Sequence, residues 1–426
     1  RQAPDETRSA PQPQPAAACF TTNSTVDDYL EYAFKHNSAL KAADARAKAA
    51  AERAGQAGYL ADPVLSYEHM VEKHDMQYRV GLAQAIPGFG KRRLRKEVAG
   101  FEADAVQHDS ESMRLMVFER LVATFYEYHY LGRSLAVTRN HVSLLADLED
   151  VLLTRFKTKK ARYTDVLKLQ VERDSLENRL AALKEMRPVM SGKLAALLDL
   201  PVETLFPWPR VAPSGDTVLS GEVLRDMLEM LNPELRALAA RIDSLSSAEA
   251  LAGRSRLPDF VIGAGYHRMP EQQDGSEPED YGLTMGISLP LWWGKYGAAA
   301  REARLAKEAA LNARKQMEVD LQVELEAALF DLRDAQRQIE LLNTSLIPKA
   351  RQAFEVAQSE FATGEAGFMS LIDAQRTLLD LSLKLERARA DREIALGEIG
   401  CCVGKYDVKA LGMNAAGTRD EKEKQP

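Results

Sequence analysis

The sequence predicts a mainly α-helical fold with a small β part, written twice along one chain. Three observations carry this: an internal repeat of about 200 residues, helical seams longer than a globular core can cover, and four short segments of alternating polarity.

The repeat is read from matched residues. Asn37-Ser38-Ala39-Leu40 is echoed by Asn232-Pro233-Glu234-Leu235, and Pro63 by Pro258. Further on, Pro87 and Lys91 correspond to Pro290 and Lys295. Phe156, Thr158, Ala161 and Gln170 return as Phe361, Thr363, Ala366 and Gln375, with Tyr163 against Phe368. Each half reads as a first helix (about 25–60, then about 220–255), a hairpin, a very long helix, a short break and a returning helix. The expected organisation is a lead-in 1–23, a first repeat 24–200 with a hairpin at 64–86, a proline-rich linker 201–219, a second repeat 220–405 with a hairpin at 259–289, and a tail 406–426. The Pro/Gln/Ala-rich lead-in and the charged, aperiodic tail read as disordered.

No proline occurs between Pro87 and Pro188, while Phe118, Leu121, Phe125, Tyr128, Leu135, Val142, Leu145, Leu152 and Phe156 recur at coiled-coil spacing. A helix from Lys91 to Phe156 is about 100 Å long at 1.5 Å per residue, so its seam needs partner helices along its length. A narrow seam on otherwise polar helices suits the wall of a water-filled tube.

In the first hairpin Leu65, Tyr67 and Val71 alternate with Ser66, Glu68 and Glu72; Tyr78, Val80 and Leu82 alternate with Arg79, Gly81 and Ala83. In the second, Phe260, Ile262, Ala264 and Tyr266 alternate with Val261, Gly263, Gly265 and His267. Tyr281, Leu283, Met285, Ile287 and Leu289 alternate with Gly282, Thr284, Gly286 and Ser288. The lengths are near those of strands that cross a bilayer at a tilt. A soluble two-stranded ribbon packed on the helices is the competing reading, and isolated hairpins of that kind are only marginally stable. In lipid, four strands cannot close a barrel and open edges are not tolerated, so the chain must oligomerise.

Composition narrows the function. Hydrophobic residues are 45% and charged residues 28%, the net charge is −7, and no apolar run is long enough for a spanning helix. Basic residues are not gathered into a nucleic-acid footprint. There is no phosphate loop, nucleophile elbow or His/Cys/carboxylate set at metal spacing, so neither an enzyme nor a cofactor is expected. The three cysteines, Cys19 and the adjacent Cys401 and Cys402, make no disulfide framework.

The duplicated plan, together with Phe361-Ala362-Thr363-Gly364 and Leu371-Ile372-Asp373-Ala374-Gln375-Arg376, resembles the TolC-like outer-membrane factor family over roughly residues 24–405. The first-half counterpart runs Arg155-Phe156-Lys157-Thr158-Lys159 and Thr164-Asp165-Val166-Leu167. The resemblance implies a homotrimer whose chains contribute four strands each to a twelve-stranded transmembrane β-barrel, with a duplicated α-hairpin barrel reaching through the periplasm. It also implies an exit duct of the bacterial outer membrane, in contact with its lipid, served by a periplasmic adaptor protein and an inner-membrane pump. The phrase from Gln84 to Arg95 is most similar to the heavy-metal efflux branch, so metal export leads as the cargo, with multidrug efflux and type I protein secretion as alternatives. A soluble coiled-coil scaffold is the alternative from another class.

Candidate sites follow from this likeness. Thr158, Lys159, Lys160 and Ala161 in the first tip, and Thr363, Gly364, Glu365, Ala366 and Gly367 in the second, are placed to dock the adaptor; the alternative is that they serve only the turn. Lys159 and Lys160 stand where the family usually has glycine and a small apolar residue, and Ser370 where many relatives have an acid. Asp373 and Ser370 are placed at the pore constriction, the competing reading of Asp373 being an ordinary solvated helix-start acid. Lys91, Arg92 and Arg93, and in the second half Trp292 and Trp293, are expected at the membrane interface. Cations at a helix start oppose the macrodipole, so a compensating contact is required. His69, Met70, His74 and Met76 carry soft donors but form no metal site by spacing.

Overall fold

The computed structural model describes residues 20–71, 76–211, 220–268, 279–363 and 367–406. The lead-in before residue 20, the tail beyond 406, Cys19, His74, Gly364, Glu365 and Ala366 lie outside the described residues, as do the side chains of Met70 and Met76.

In chain order the elements are α1 (Val26–His36), α2 (Ser38–Gln56), β1 (Val64–Val71), β2 (Met76–Ile86), α3 (Lys91–Lys157), α4 (Tyr163–Leu197), α5 (Gly221–Leu231), α6 (Pro233–Arg254), β3 (Phe260–Arg268), β4 (Glu279–Ile287), α7 (Trp293–Leu341), a π-turn (Leu342–Leu346), α8 (Ile347–Thr363) and α9 (Phe368–Val403). Two compact units take pieces from both halves. One comprises residues 1–41, 113–231 and 321–426; the other comprises 42–112 and 232–320.

The single first helix expected in each half is instead two. Asn37 and Asn232 both adopt ψ near 120° and interrupt the helical path. Each asparagine then caps the next helix: Asn37 Oδ1 accepts the Leu40 N–H at 3.0 Å, and Asn232 Oδ1 accepts the Glu234 and Leu235 N–H groups at 2.9 and 3.2 Å. The side chain satisfies donors that a helix start leaves orphaned, and Pro233 lacks the N–H that would continue α5. At the start of α1, Thr25 and Asp28 complete a reciprocal capping box. At the other end of the chain, Gly404 takes φ 75°, letting Lys405 N–H reach the Gly400 carbonyl at 2.8 Å and stop α9.

The first unit holds two cores. One gathers Phe20, Tyr29, Phe125, Tyr128 and Phe206, with the buried Tyr128 hydroxyl donating to the Phe206 carbonyl at 2.7 Å. The described part of the linker, residues 201–211, therefore packs rather than merely connecting: Phe206 is buried and Arg187 stacks 4.5 Å from the Trp208 ring. The second core joins Leu145 and Leu152 of α3, Val166 and Leu169 of α4, Phe354 and Phe361 of α8, and Phe368, Leu371 and Ile372 of α9. The predicted seam is buried from Phe118 through Leu152 except at Val142, which is partly buried, and its last member, Phe156, is exposed with the Tyr163 ring 5.5 Å away.

The second unit holds the sheet, ordered β1-β2-β3-β4 with every pair antiparallel. Register puts the apolar residues of all four strands in phase. Tyr67, Val80, Tyr266 and Tyr281 form one cross-strand row, and Leu65, Leu82, Ala264 and Leu283 the next. Between them on the opposite face lie Ser66, Gly81, Gly265 and Gly282. A one-residue slip anywhere would mix the faces, so the alternation and the pairing specify each other. The apolar face is bare: Leu283 is 89% exposed and Met285 81%. Among the described residues no helix is long and apolar enough to cross a membrane.

If the bare face meets hydrocarbon, Leu283→Arg destabilises the assembled barrel by about 2–4 kcal/mol, whereas Thr284→Arg, on the opposite face, assembles normally. Heat-modifiability of the purified variants on gels checks this. Equal tolerance of both substitutions would contradict the assignment of faces.

Candidate functional site

Two regions carry the candidate residues: the foot of the sheet in the second unit and the tip of the helical hairpins in the first.

At the foot, β2 ends at Ile86 and the chain turns through Gly88, Phe89 and Gly90 into α3. A Cβ on Gly88 would lie 2.6 Å from the Pro258 carbonyl oxygen, so only glycine fits that approach. Asp259 then ties three segments together. Its Oδ1 accepts the Gly88 N–H at 2.9 Å and the Lys91 ammonium at 2.8 Å, while its N–H donates to Ser288 Oγ at 2.7 Å. Lys91 Nζ also donates to the Leu257 carbonyl at 2.6 Å. Burial works to raise the Asp259 pKa, but the hydrogen bonds from Lys91 and Gly88 outweigh it and hold the carboxyl below its usual range. Lys91 thus turns inward to Asp259, whereas the sequence reading has it at the membrane interface. Its side chain is 5% exposed, and the contact that offsets the helix dipole is Asp259 rather than a lipid headgroup.

Arg92 and Arg93 remain exposed, and Trp292 and Trp293 are 74% and 69% exposed. Tyr67, Tyr78, Tyr266 and Tyr281 form a second aromatic band near the opposite strand ends, with successive ring centroids 6.4, 6.0 and 5.4 Å apart. Apolar strands flanked by aromatic residues at both ends have the distribution of a lipid-spanning barrel wall. Of the four soft-donor residues only the His69 side chain is described; it lies 3.4 Å from the Tyr67 hydroxyl. Among the described residues no group of His, Cys, Asp and Glu is disposed to hold a metal.

At the tip, Thr158, Lys159 and Lys160 are exposed and Ala161 is partly buried. Lys159 takes φ 57°, the left-handed conformation for which glycine is the usual choice, at a cost of roughly 1 kcal/mol. That conformation brings the Lys160 N–H to the Arg155 carbonyl at 2.8 Å and closes the end of α3. Gly367, in contrast, has φ −73°, and among the described residues nothing lies within 4 Å of where a Cβ would stand. Arg155 binds the two tips to each other, donating to the Phe361 and Ala362 carbonyls with its guanidinium 4.7 Å from the Phe361 ring. Thr363 closes α8, its hydroxyl donating to the Glu360 carbonyl at 3.0 Å.

Ser370 and Asp373 are both exposed and share one face of α9. Behind Asp373, Arg376 pairs with Glu172 of α4 at 2.5 Å, and this hydrogen bond, against a smaller cost of burial, raises the guanidinium pKa. The repeat-marking glutamines prove to be buried-contact residues. Gln170 donates to Glu149 at 2.8 Å, and the fully buried Gln375 lies 3.0 Å from His141 Nδ1. Their matched positions are the only sequence signal; the partners on α3 have none.

The profile of the outer membrane efflux protein family matches residues 224–401. The pyoverdine export outer membrane protein OpmQ of Pseudomonas putida is 24% identical over 73% of this chain and 67% of its own length. The outer membrane protein TolC of Vibrio cholerae is 26% identical over 64% of this chain. By these matches the chain is similar to the outer membrane efflux protein family. The match spans 61% of that TolC protein's length. The cobalt-zinc-cadmium resistance protein CzcC of Cupriavidus metallidurans is 24% identical over 69% of each chain. The outer membrane protein VceC of Vibrio cholerae superposes with a TM-score of 0.79 at 17% identity, covering 90% of this chain and 97% of that one. The family's members are passive channels of the outer membrane, and this one is an outer-membrane efflux channel rather than an enzyme.

Burial lowers the His141 pKa, so the folded tip holds a neutral imidazole while the unfolded chain takes up a proton near pH 6.5. That contribution to stability is fully present above pH 6.5 and is lost as pH falls below it, by at most about 1.4 kcal/mol per pH unit. Hydrogen exchange around residues 138–145 should accelerate on acidification in the parent protein and much less in His141→Gln. Equal acceleration in both would assign the effect to other groups.

Proposed function

We propose that three copies of this efflux channel close a twelve-stranded barrel and a periplasmic helical tunnel, which accept cargo from an adaptor protein and an inner-membrane pump. The observation that carries the reading is the four-stranded sheet with a bare apolar face, whose outer strands β1 and β4 have no further partner strand among the described residues. Three sheets joined edge to edge satisfy those backbone groups and turn one face to lipid and the Gly/Ser face to water. The two-repeat division about the linker 201–219 belongs to the same reading, since it supplies two hairpins per copy.

The tips are the docking surface for the adaptor in this reading. Arg155 and the second core hold both tips as one rigid piece, and Thr158, Lys159, Lys160, Thr363 and Gly367 present an exposed surface on it. The open space around Gly367 supports a role toward a partner, because nothing among the described residues uses the missing side chain. Gly364, Glu365 and Ala366 complete the docking set by sequence.

Heavy-metal cations are the proposed cargo. The similarity to CzcC and the Gln84-to-Arg95 phrase support it, while the similarity to OpmQ favours export of organic molecules as the second reading. Deleting the gene in its native host should lower the tolerated concentration of cobalt, zinc, cadmium, copper or silver, and the intact gene should restore it. Unchanged metal tolerance with increased sensitivity to drugs or loss of siderophore export would overturn the metal assignment and leave the channel standing.

In this reading the constriction lies at Asp373 and Ser370, which are exposed on one face of α9. In a trimer three Asp373 carboxylates form a ring that favours cations and can be bridged by multivalent ones. Single-channel recording of Asp373→Ala should show reduced cation selectivity and weaker block by divalent cations. Conductance, selectivity and block equal to the parent would move the gate elsewhere.

A further inference from the structure

The second unit contains an open cleft of about 620 Å³ at the foot of β1, and the function described above makes no use of it. It is lined by Gly55, Gly58 and Tyr59 at the end of α2, and by Gly90, Arg92, Arg93 and Lys96 at the start of α3. We propose that this cleft binds the phosphate of an anionic phospholipid and so fixes the height of the channel in the outer membrane.

The chemistry of the lining is that of an oxyanion site. Three cations converge on one cleft, and Arg254 borders it through Gly90, where an added Cβ would lie 2.7 Å from its Nη1. Their partners within the chain leave much of the charge unmatched. Arg92 donates to the Gly58 carbonyl, which fixes its guanidinium without neutralising it. Among the described residues Arg93 pairs with Glu97, at 3.5 Å, and its side chain is 71% exposed. The stem of Lys96 crosses Gly58, its Cδ 3.3 Å from where a Cβ would stand, so the missing side chain makes the room the lysine occupies. The first turn of α3 adds the positive end of its dipole to the same place. Two arginines and a lysine held together against a helix start repel one another and the dipole, and a bound anion offsets both terms.

Lipid rather than a freely diffusing anion is favoured by what surrounds the cleft. Tyr59, which lines the cleft, is 78% exposed, and Leu65, at the start of the apolar face of β1, is 71% exposed. With a phosphate seated among the cations, the acyl chains would run toward the apolar face that Leu65 begins, and an exposed tyrosine lining the cleft is suited to the boundary between the two. The proposal depends on the outer-membrane location and on neither the cargo nor the adaptor.

The test uses the full chain, solubilised and stripped of lipid, and reads binding by native mass spectrometry. Phosphatidylglycerol, phosphatidylethanolamine and inorganic phosphate are added separately, and phosphate is then added in competition. Phosphatidylglycerol should bind in preference to the zwitterionic lipid, and Arg93→Gln with Lys96→Gln should weaken it by about fivefold per cation removed. The charge-conserving pair Arg93→Lys with Lys96→Arg should retain most of the binding. Removing two exposed cations from α4, Arg179→Gln with Lys184→Gln, should leave it unchanged. Displacement by millimolar inorganic phosphate would keep the oxyanion site and assign it to free phosphate instead of lipid. Parental binding by the cleft variant, or an equal loss in the α4 variant, would overturn the proposal.

Discussion

A backbone amide in hydrocarbon has no water to bond, and every other feature of this chain follows from meeting that condition with four strands. Within one copy β2 and β3 are paired on both sides, whereas β1 and β4 are each paired on one. The outer edges are therefore tolerable in lipid only when a second copy covers them. Shape follows from the same requirement. Rows of Ser66, Gly81, Gly265 and Gly282 give one face little bulk, and rows of Leu65, Leu82, Ala264 and Leu283 make the other compatible with acyl chains. In the proposed barrel cargo passes on the first and lipid is met by the second.

The sheet would be of little use without a firm junction to the helices, and Asp259 provides it. One carboxylate oxygen receives both the Gly88 amide and the Lys91 ammonium, while the same residue's amide reaches Ser288 at the end of β4. The change from a period of two to a period near 3.6 is thus fixed by a part-buried, charge-assisted contact at the place where the chain changes direction. At the tip Arg155 does comparable work, joining the first tip to the second through the Phe361 and Ala362 carbonyls in the last turn of α8.

Much of this is legible in the residues because it rests on periodicity. Alternation in the strands and the seam from Phe118 to Leu152 report burial directly, and the repeat shows that both halves use one plan. What periodicity cannot report is where a polar side chain goes. Lys91 reads as one more cation in a basic run, yet it turns inward to a carboxylate far away in sequence. Asn37 and Asn232 are visible as repeat markers, but their effect is to cap and so to divide a helix whose apolar spacing continues across the break. Lys159 departs from the glycine that its conformation favours, so the residues locate the turn without disclosing its geometry. The buried contact of Gln375 with His141 joins α9 to α3, and no local pattern announces it. Cargo is harder still, because a passive duct needs a wide, wet, weakly binding interior and carries little chemistry that would name what passes through.

The claim that copies of this chain complete one another's sheet is tested most directly by amide hydrogen exchange on the solubilised protein, compared strand by strand. Edge-to-edge closure predicts that amides of β1 and β4 exchange as slowly as those of β2 and β3, because all four strands are then paired on both sides. Fast exchange confined to the outward-facing amides of β1 and β4, with β2 and β3 protected, would show four-stranded sheets with open edges and would contradict the account.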